Sequence, residues 1–173
     1  MRLLMGFVFA LLLAGCSDAD KGKRIDLPSD MTVHPSFGAQ AEIVIAAADE
    51  WKRATGGVAD LNPRIGNNGT VKVRETFDDS ADWAGDTDSA AWEADIRIDL
   101  PGLQRNATRD KRSIDDELRD TVMHELGHAM GIGHLPSGLM RSSGYGGGCV
   151  DAAALAAFCE NYRCPASAAQ TCD

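Results

Sequence analysis

Eleven consecutive residues carry most of the chemistry open to this chain. They read His124-Glu125-Leu126-Gly127-His128-Ala129-Met130-Gly131-Ile132-Gly133-His134. On a helix, His124 and His128 stand one turn apart on one face, so both imidazoles can reach a single ion. Two ligands leave a metal open. A third cannot come from further along the same helix, because each added turn carries its side chains away. Gly131 tolerates the positive φ that turns a chain sharply, which brings His134 back toward the same ion. Three neutral imidazoles and one water make a four-coordinate zinc site with an exchangeable position, the pattern of a catalytic rather than a structural zinc. Glu125 sits beside the first ligand and is not expected to bind the metal. Its carboxylate is placed to take a proton from a water attacking a carbonyl, and to pass a proton on to the leaving amine.

These side chains need a helix that ends at Gly131 and a frame behind it. Ser113 with Asp116 three residues on is close to a capping box, and Ile114, Leu118 and Val122 follow at helical spacing, which predicts a long helix from Ser113. Upstream, Ile43, Ile45, Ala47, Ala48 and Trp51 predict a helix over residues 37–54, stopped by Gly56-Gly57. Alternation predicts strands over 70–76 and 94–100, with a shorter one over 24–27. Residues 62–69 and the acidic stretch 78–88 read as loops, 104–112 as a polar, basic surface segment, and 144–148 as a flexible link. Residues 150–162 predict a last helix. The fold class is therefore α+β: a mixed sheet with a long N-terminal helix, a metal-binding helix and a C-terminal helix.

The flanking sequence bears on setting. Arg2, the apolar run from Leu3 to Leu13 and Ala14-Gly15-Cys16 predict an export signal over residues 1–15. That run is too short to span a bilayer comfortably. Leu12-Leu13-Ala14-Gly15-Cys16 resembles a bacterial lipobox, which implies a lipid carried on Cys16 and a membrane tether without a spanning helix. Ser17 in the next position implies the outer membrane of a Gram-negative cell. Residues 16–23 then read as the tether, and 24–173 as one domain with a Cys-rich end. The chain holds 26 acidic against 17 basic residues, which argues against nucleic acid as a partner. In an exported chain, Cys149, Cys159, Cys164 and Cys172 read as two disulfides, with three connectivities open. A second zinc site is the rival, weakened because no Cys-x-x-Cys pair is present. Asp78, Asp79, Asp82, Asp86 and Asp88 could bind Ca2+, but their spacing is not that of an EF-hand, and a solvated loop is the plainer reading. His34 reads as a surface or capping residue.

The eleven-residue segment matches the metzincin zinc motif His-Glu-x-x-His-x-x-Gly-x-x-His, in a form that resembles the matrixins. Ala94-Asp95-Ile96 resembles the opening of a central strand in matrixin catalytic domains. Gly138-Leu139-Met140 is similar to the turn whose Met lies beneath the zinc ligands, which makes Met140, with Gly131, a support residue. The resemblance covers about residues 24–162. It implies a metzincin-like (zincin) domain holding one catalytic Zn2+ on His124, His128 and His134, with Glu125 as general base. It also implies a peptide or protein substrate lying extended along a sheet edge, walled by residues 100–112 and 135–145. With the signal, the expectation is a zinc-dependent endopeptidase of the bacterial cell envelope. The alternative is a catalytically silent, zinc-containing lipoprotein that binds peptides or proteins, and a third reading is a hydrolase of non-peptide amides. Several features depart from the family. The span from His134 to Met140 is short, and residues 100–113 leave no room for structural-zinc and calcium loops. No cysteine-switch propeptide follows Cys16. Tyr145 is not two residues after Met140, where astacin-like enzymes place a metal-binding tyrosine, and it reads as a loop residue.

Overall fold

A computed structural model describes residues 27–78, 83–90, 93–143 and 146–172. The expected signal and tether, with Cys16, lie outside the described residues, as do Asp79, Asp82 and Tyr145. Five strands form one sheet: β1 (Met31–Val33), β2 (Arg64–Ile65), β3 (Val71–Thr76), β4 (Gly85–Ala90) and β5 (Glu93–Asp99). Their order is β2-β1-β3-β5-β4. The first four in that order run parallel, and β4 closes the edge antiparallel to β5, with Thr87 opposite Ile96. The described α-helices are α1 (Ala41–Ala54), α2 (Leu100–Asp110), α3 (Ile114–Ala129) and α4 (Ala152–Asn161). The chain is α+β with a mixed sheet.

Alternation in β3 and β5 buries Val71, Val73, Ala94, Ile96 and Ile98, and these pack with Val44, Ala47 and Trp51 of α1 and Leu118, Val122 and Leu126 of α3 in one core. Each such side chain contributes roughly 1.5–3 kcal/mol on burial. Trp51 also fixes orientation. Its indole Nε1 donates to the Met123 carbonyl at 2.9 Å, and its ring lies 6.0 Å from that of Phe158. One fully buried side chain thus joins α1, α3 and α4.

The structure departs from the sequence expectations at several places, among them β2, which lies within the expected loop over 62–69. The first described strand is Met31–Val33; of the strand expected over 24–27, residues 24–26 lie outside the described residues and Leu27 belongs to no regular element. All three residues of β1 are buried, so that strand has no alternation to read. The helix expected from residue 37 opens as a 3-10 turn, Pro35–Gln40, in which Gly38 has φ 52° and interrupts the helical path. His34 caps that turn, its Nδ1 accepting from the Ser36 amide at 3.2 Å. The second half of the acidic loop is β4: Gly-Asp-Thr-Asp-Ser-Ala has no apolar pattern, and pairing with β5 makes it a strand. The expected surface segment over 104–112 belongs mostly to α2. Asp99 accepts from the Gly102 amide at 2.8 Å, Pro101 stands in the first turn, and Leu103 and Ala107 turn inward. A proline that ends a strand is equally suited to open a helix.

The charged side chains of these regions find partners. Asp86 pairs with Arg97, Arg109 with Asp110 at 2.8 Å, and Arg112 with Glu117 at 3.0 Å. The four late cysteines form Cys149–Cys172 and Cys159–Cys164, with Cα separations of 5.2 and 5.3 Å. Their sulfurs are therefore not free for a second zinc. The tail is laid along the domain by Ala169 N–H to the Ala54 carbonyl (2.9 Å) and Thr171 N–H to the Val150 carbonyl (2.8 Å).

Candidate metal centre

Helix α3 begins where its cap predicts. Ser113 Oγ accepts from the Asp116 amide at 3.1 Å, and Asp115, Asp116 and Glu117 complement the positive end of the helix. The helix stops at Gly131, whose φ is 79°. There Gly131 N–H bonds the His128 carbonyl and Ile132 N–H the Gly127 carbonyl, both at 2.9 Å. This turn returns the chain over the helix end and brings His134 to the first two histidines.

One ring nitrogen from each of His124, His128 and His134 lies within 4.8 Å of the others, and among the described residues this is the one such cluster of His, Cys, Asp or Glu. The Nε2 atoms of His128 and His134 are 3.3 Å apart. Two nitrogens bound about 2.0–2.1 Å from a tetrahedral zinc stand roughly 3.3 Å from each other, so the pair has the spacing of two ligands on one ion. The other ring nitrogens are held by carbonyls: His124 Nδ1 by Leu139 O at 2.7 Å, and His128 Nδ1 by Ile132 O at 2.8 Å. A carbonyl only accepts, so Nδ1 carries the hydrogen in each ring and Nε2 is left to bind metal. Burial pushes both imidazoles below their ordinary pKa, which keeps them in the neutral form a metal needs.

Met140 is fully buried against the ligand helix. A Cβ at Gly127 would meet its sulfur and stand 2.7 Å from its Cε, so Met140 fills the place a larger residue at 127 would need, one residue before His128. The short segment after His134 closes on itself through Leu135 N–H to Met140 O at 2.8 Å. Asp151 supports that turn. Its carboxylate accepts from Leu139 N–H at 2.5 Å, and from the Ala153 and Ala154 amides at 2.8 and 3.0 Å. Leu139 in turn presents the carbonyl that orients His124. From α4, Tyr162 O–H donates to Met130 O at 3.1 Å, and Tyr162 ring-stacks near Phe158 at 4.7 Å.

Glu125 is buried on the same helix. Burial pushes its carboxyl up, opposed by the nearby His128 and by a hydrogen bond from Thr87. Thr87 Oγ1, on β4, donates to Glu125 Oε2 at 2.6 Å. The structure therefore brings together His124, Glu125, His128, Gly131, His134 and Met140. Sequence reasoning missed Thr87 and Asp151. Asp151 ahead of an alanine-rich run carries a readable helix-cap signal. Thr87 carries none, because its strand is made by pairing alone. Of the acidic positions considered for calcium, Asp86 and Asp88 are spread along β4 and join no metal-like cluster.

No protein-family model matches the chain, and no curated protein matches it. Among solved structures it is similar to a chain described as the GM1 bound form of the ECX AB5 holotoxin. The identity is 14%, over 82% of this chain and 73% of that one, with a TM-score of 0.41. One expectation is corrected here. The endopeptidase of the cell envelope, with its alternative of a silent peptide-binding lipoprotein, is withdrawn: the similar structure is described as a GM1-bound toxin assembly, not as an envelope peptidase. At that TM-score the likeness carries nothing of the toxin's fold or binding to this chain, so its chemistry is read from its own residues.

Proposed function

We propose that this chain is a zinc-dependent hydrolase of metzincin-like pattern that adds water across the carbonyl of a non-peptide amide. The observation that carries the reading is a cluster of three imidazoles, two of them held by carbonyls at Nδ1, beside the buried Glu125 carboxylate on the helix that carries those two. His124, His128 and His134 would hold the zinc, which would supply Lewis-acid chemistry. Glu125 takes the proton of the attacking water. The water oxygen bonds to the carbonyl carbon, the C–N bond breaks, and Glu125 returns the proton to the leaving nitrogen. The position of Met140 behind Gly127 supports the metzincin likeness drawn from the motif.

The test loads the full chain with zinc and compares it with Glu125→Gln on a panel of small acyl amides. Both proteins are expected to hold one zinc, and turnover to fall about 10²–10⁴-fold in the variant. A zinc-loaded wild type no more active than the variant across the panel sinks the reading. We also propose export with a lipid on Cys16, supported by two disulfides of a kind that persists in oxidising compartments. Cys16→Ser should then release the protein from membranes, and unchanged fractionation counts against the anchor. Among the described residues no helix is long and apolar enough to cross a membrane.

A further inference from the structure

We propose that Thr87 is the positioning residue for Glu125: its hydroxyl, carried on the edge strand β4, holds one carboxylate oxygen and leaves the other for the reacting water. The inference rests on the reading of Glu125 as general base and deepens it.

The 2.6 Å contact from Thr87 Oγ1 to Glu125 Oε2 has the length of a charge-assisted O–H···O⁻ bond. Among the described residues no other side chain hydrogen-bonds that carboxylate, and Oε1 has no such partner. The strand also constrains the stem of the side chain. Gly85 lies two residues before Thr87, and a Cβ there would stand 2.9 Å from Glu125 Cγ and 3.0 Å from Oε1. Backbone and hydroxyl of one strand thus bracket the carboxylate.

The pleat explains why these two residues do so. Residues two apart in a strand share a face. Gly85 and Thr87 lie opposite Ile98 and Ile96, which are buried in the core with α3. Asp86, between them, pairs instead with Arg97. Threonine is suited to the task because its branched Cβ is stiff at χ1, so the hydroxyl is aimed before the bond forms. A free glutamate loses rotamer freedom when fixed. Fixing it in the folded protein removes that loss from the reaction.

The test compares zinc-loaded full-length wild type with Thr87→Val, which is near isosteric but lacks the hydroxyl, and with Thr87→Ser, which keeps it. Thr87→Ala repeats the loss without adding apolar bulk, should valine disturb the strand. Crystal structures are expected to show one Glu125 rotamer, bonded to residue 87, in wild type and the serine variant. A displaced or divided Glu125 is expected in the valine and alanine variants. On amide reporters, kcat is expected to fall about tenfold in Thr87→Val at unchanged KM and zinc affinity, with Thr87→Ser within about twofold, inside the hundredfold that a misplacement of ~1 Å costs. An unmoved Glu125 in the valine and alanine variants overturns the proposal. So does a serine variant as impaired as valine. If wild type hydrolyses nothing, the hydrolase reading fails, and the rotamer comparison still decides the role of Thr87.

Discussion

Two segments close on the Glu125 carboxylate from different sides, and they are held by different means. On one side, α3 and its return turn are fastened repeatedly. Trp51 grips the Met123 carbonyl, Tyr162 the Met130 carbonyl, Asn161 the Gly131 carbonyl and Asp151 the Leu139 amide. On the other side, β4 has a single strand neighbour, β5, and its last three residues are exposed. The difference separates two tasks. The geometry of the histidine cluster rests on a redundant frame, while orientation of the proposed base, Glu125, rests on one thin strand. Substitutions on the helix side should therefore strike metal affinity and leave β4 in place. Substitutions on the strand side should strike turnover and leave the metal.

The largest effect should come from a ligand. His128→Ala removes one of three imidazoles and leaves His124 and His134 without the partner that completes the cluster. Zinc affinity should fall by more than about a hundredfold, beyond the ~10–100-fold typical of changes behind the ligands. Chelator competition measures this. Because β4 is held by β5, its amide hydrogen exchange in the zinc-free protein should match that of wild type. Loss of β4 protection in the variant would break the comparison, since it would show that the strand leans on the ligand helix and not on the sheet.

A smaller effect should come from Asp151→Ala, which touches no ligand. The Leu139 amide loses its acceptor, and the peptide whose carbonyl orients His124 is freed. Zinc affinity should drop about tenfold, the low end of the range for outer residues. Stability should drop by ~1 kcal/mol through the lost cap of α4. Asp151→Asn retains an acceptor oxygen and should recover much of both. Equal zinc affinity in wild type and Asp151→Ala would show that the remaining fastenings hold His124 without Leu139.

How much of this could be read from the chain follows from the same contrast. His124, His128 and Gly131 are legible because their geometry is local: a four-residue spacing and one positive φ. The α3 cap is legible for the same reason. Strand β4 is not, because Gly-Asp-Thr-Asp-Ser-Ala has the composition of a loop and becomes a strand only beside β5. Thr87 is hidden with it. Helix α2 is hidden behind Pro101-Gly102, which fits a strand end as well as a helix start. The disulfide pairing depends on the path of the tail across Ala54 and Val150, a tertiary fact that cysteine spacing does not encode.

The smallest effect lies on α3 itself, one turn before the first ligand. Asp120 is buried, and burial chiefly pushes its carboxyl up to about 6, with Arg112 acting the other way. Arg112 Nη1 is 2.6 Å from Asp120 Oδ2, an ion pair that offsets part of the cost of burial. The ionised carboxylate is thus only partly compensated. Since its folded pKa lies above the 3.8 of an exposed aspartate, the native state binds this proton more tightly than the unfolded chain between about pH 4 and 6. The stability it contributes is full below that window and lost as pH rises through 6. Discounted for water reaching the pair, the loss is on the order of 1 kcal/mol. Asp120→Asn cannot ionise, so its urea midpoint should gain on that of wild type as pH climbs from 4 to 7. Parallel curves would remove Asp120 from the account. Equal zinc affinity of the two proteins at pH 7, despite the difference in stability, would show that the many fastenings of α3 absorb the cost before it reaches the metal.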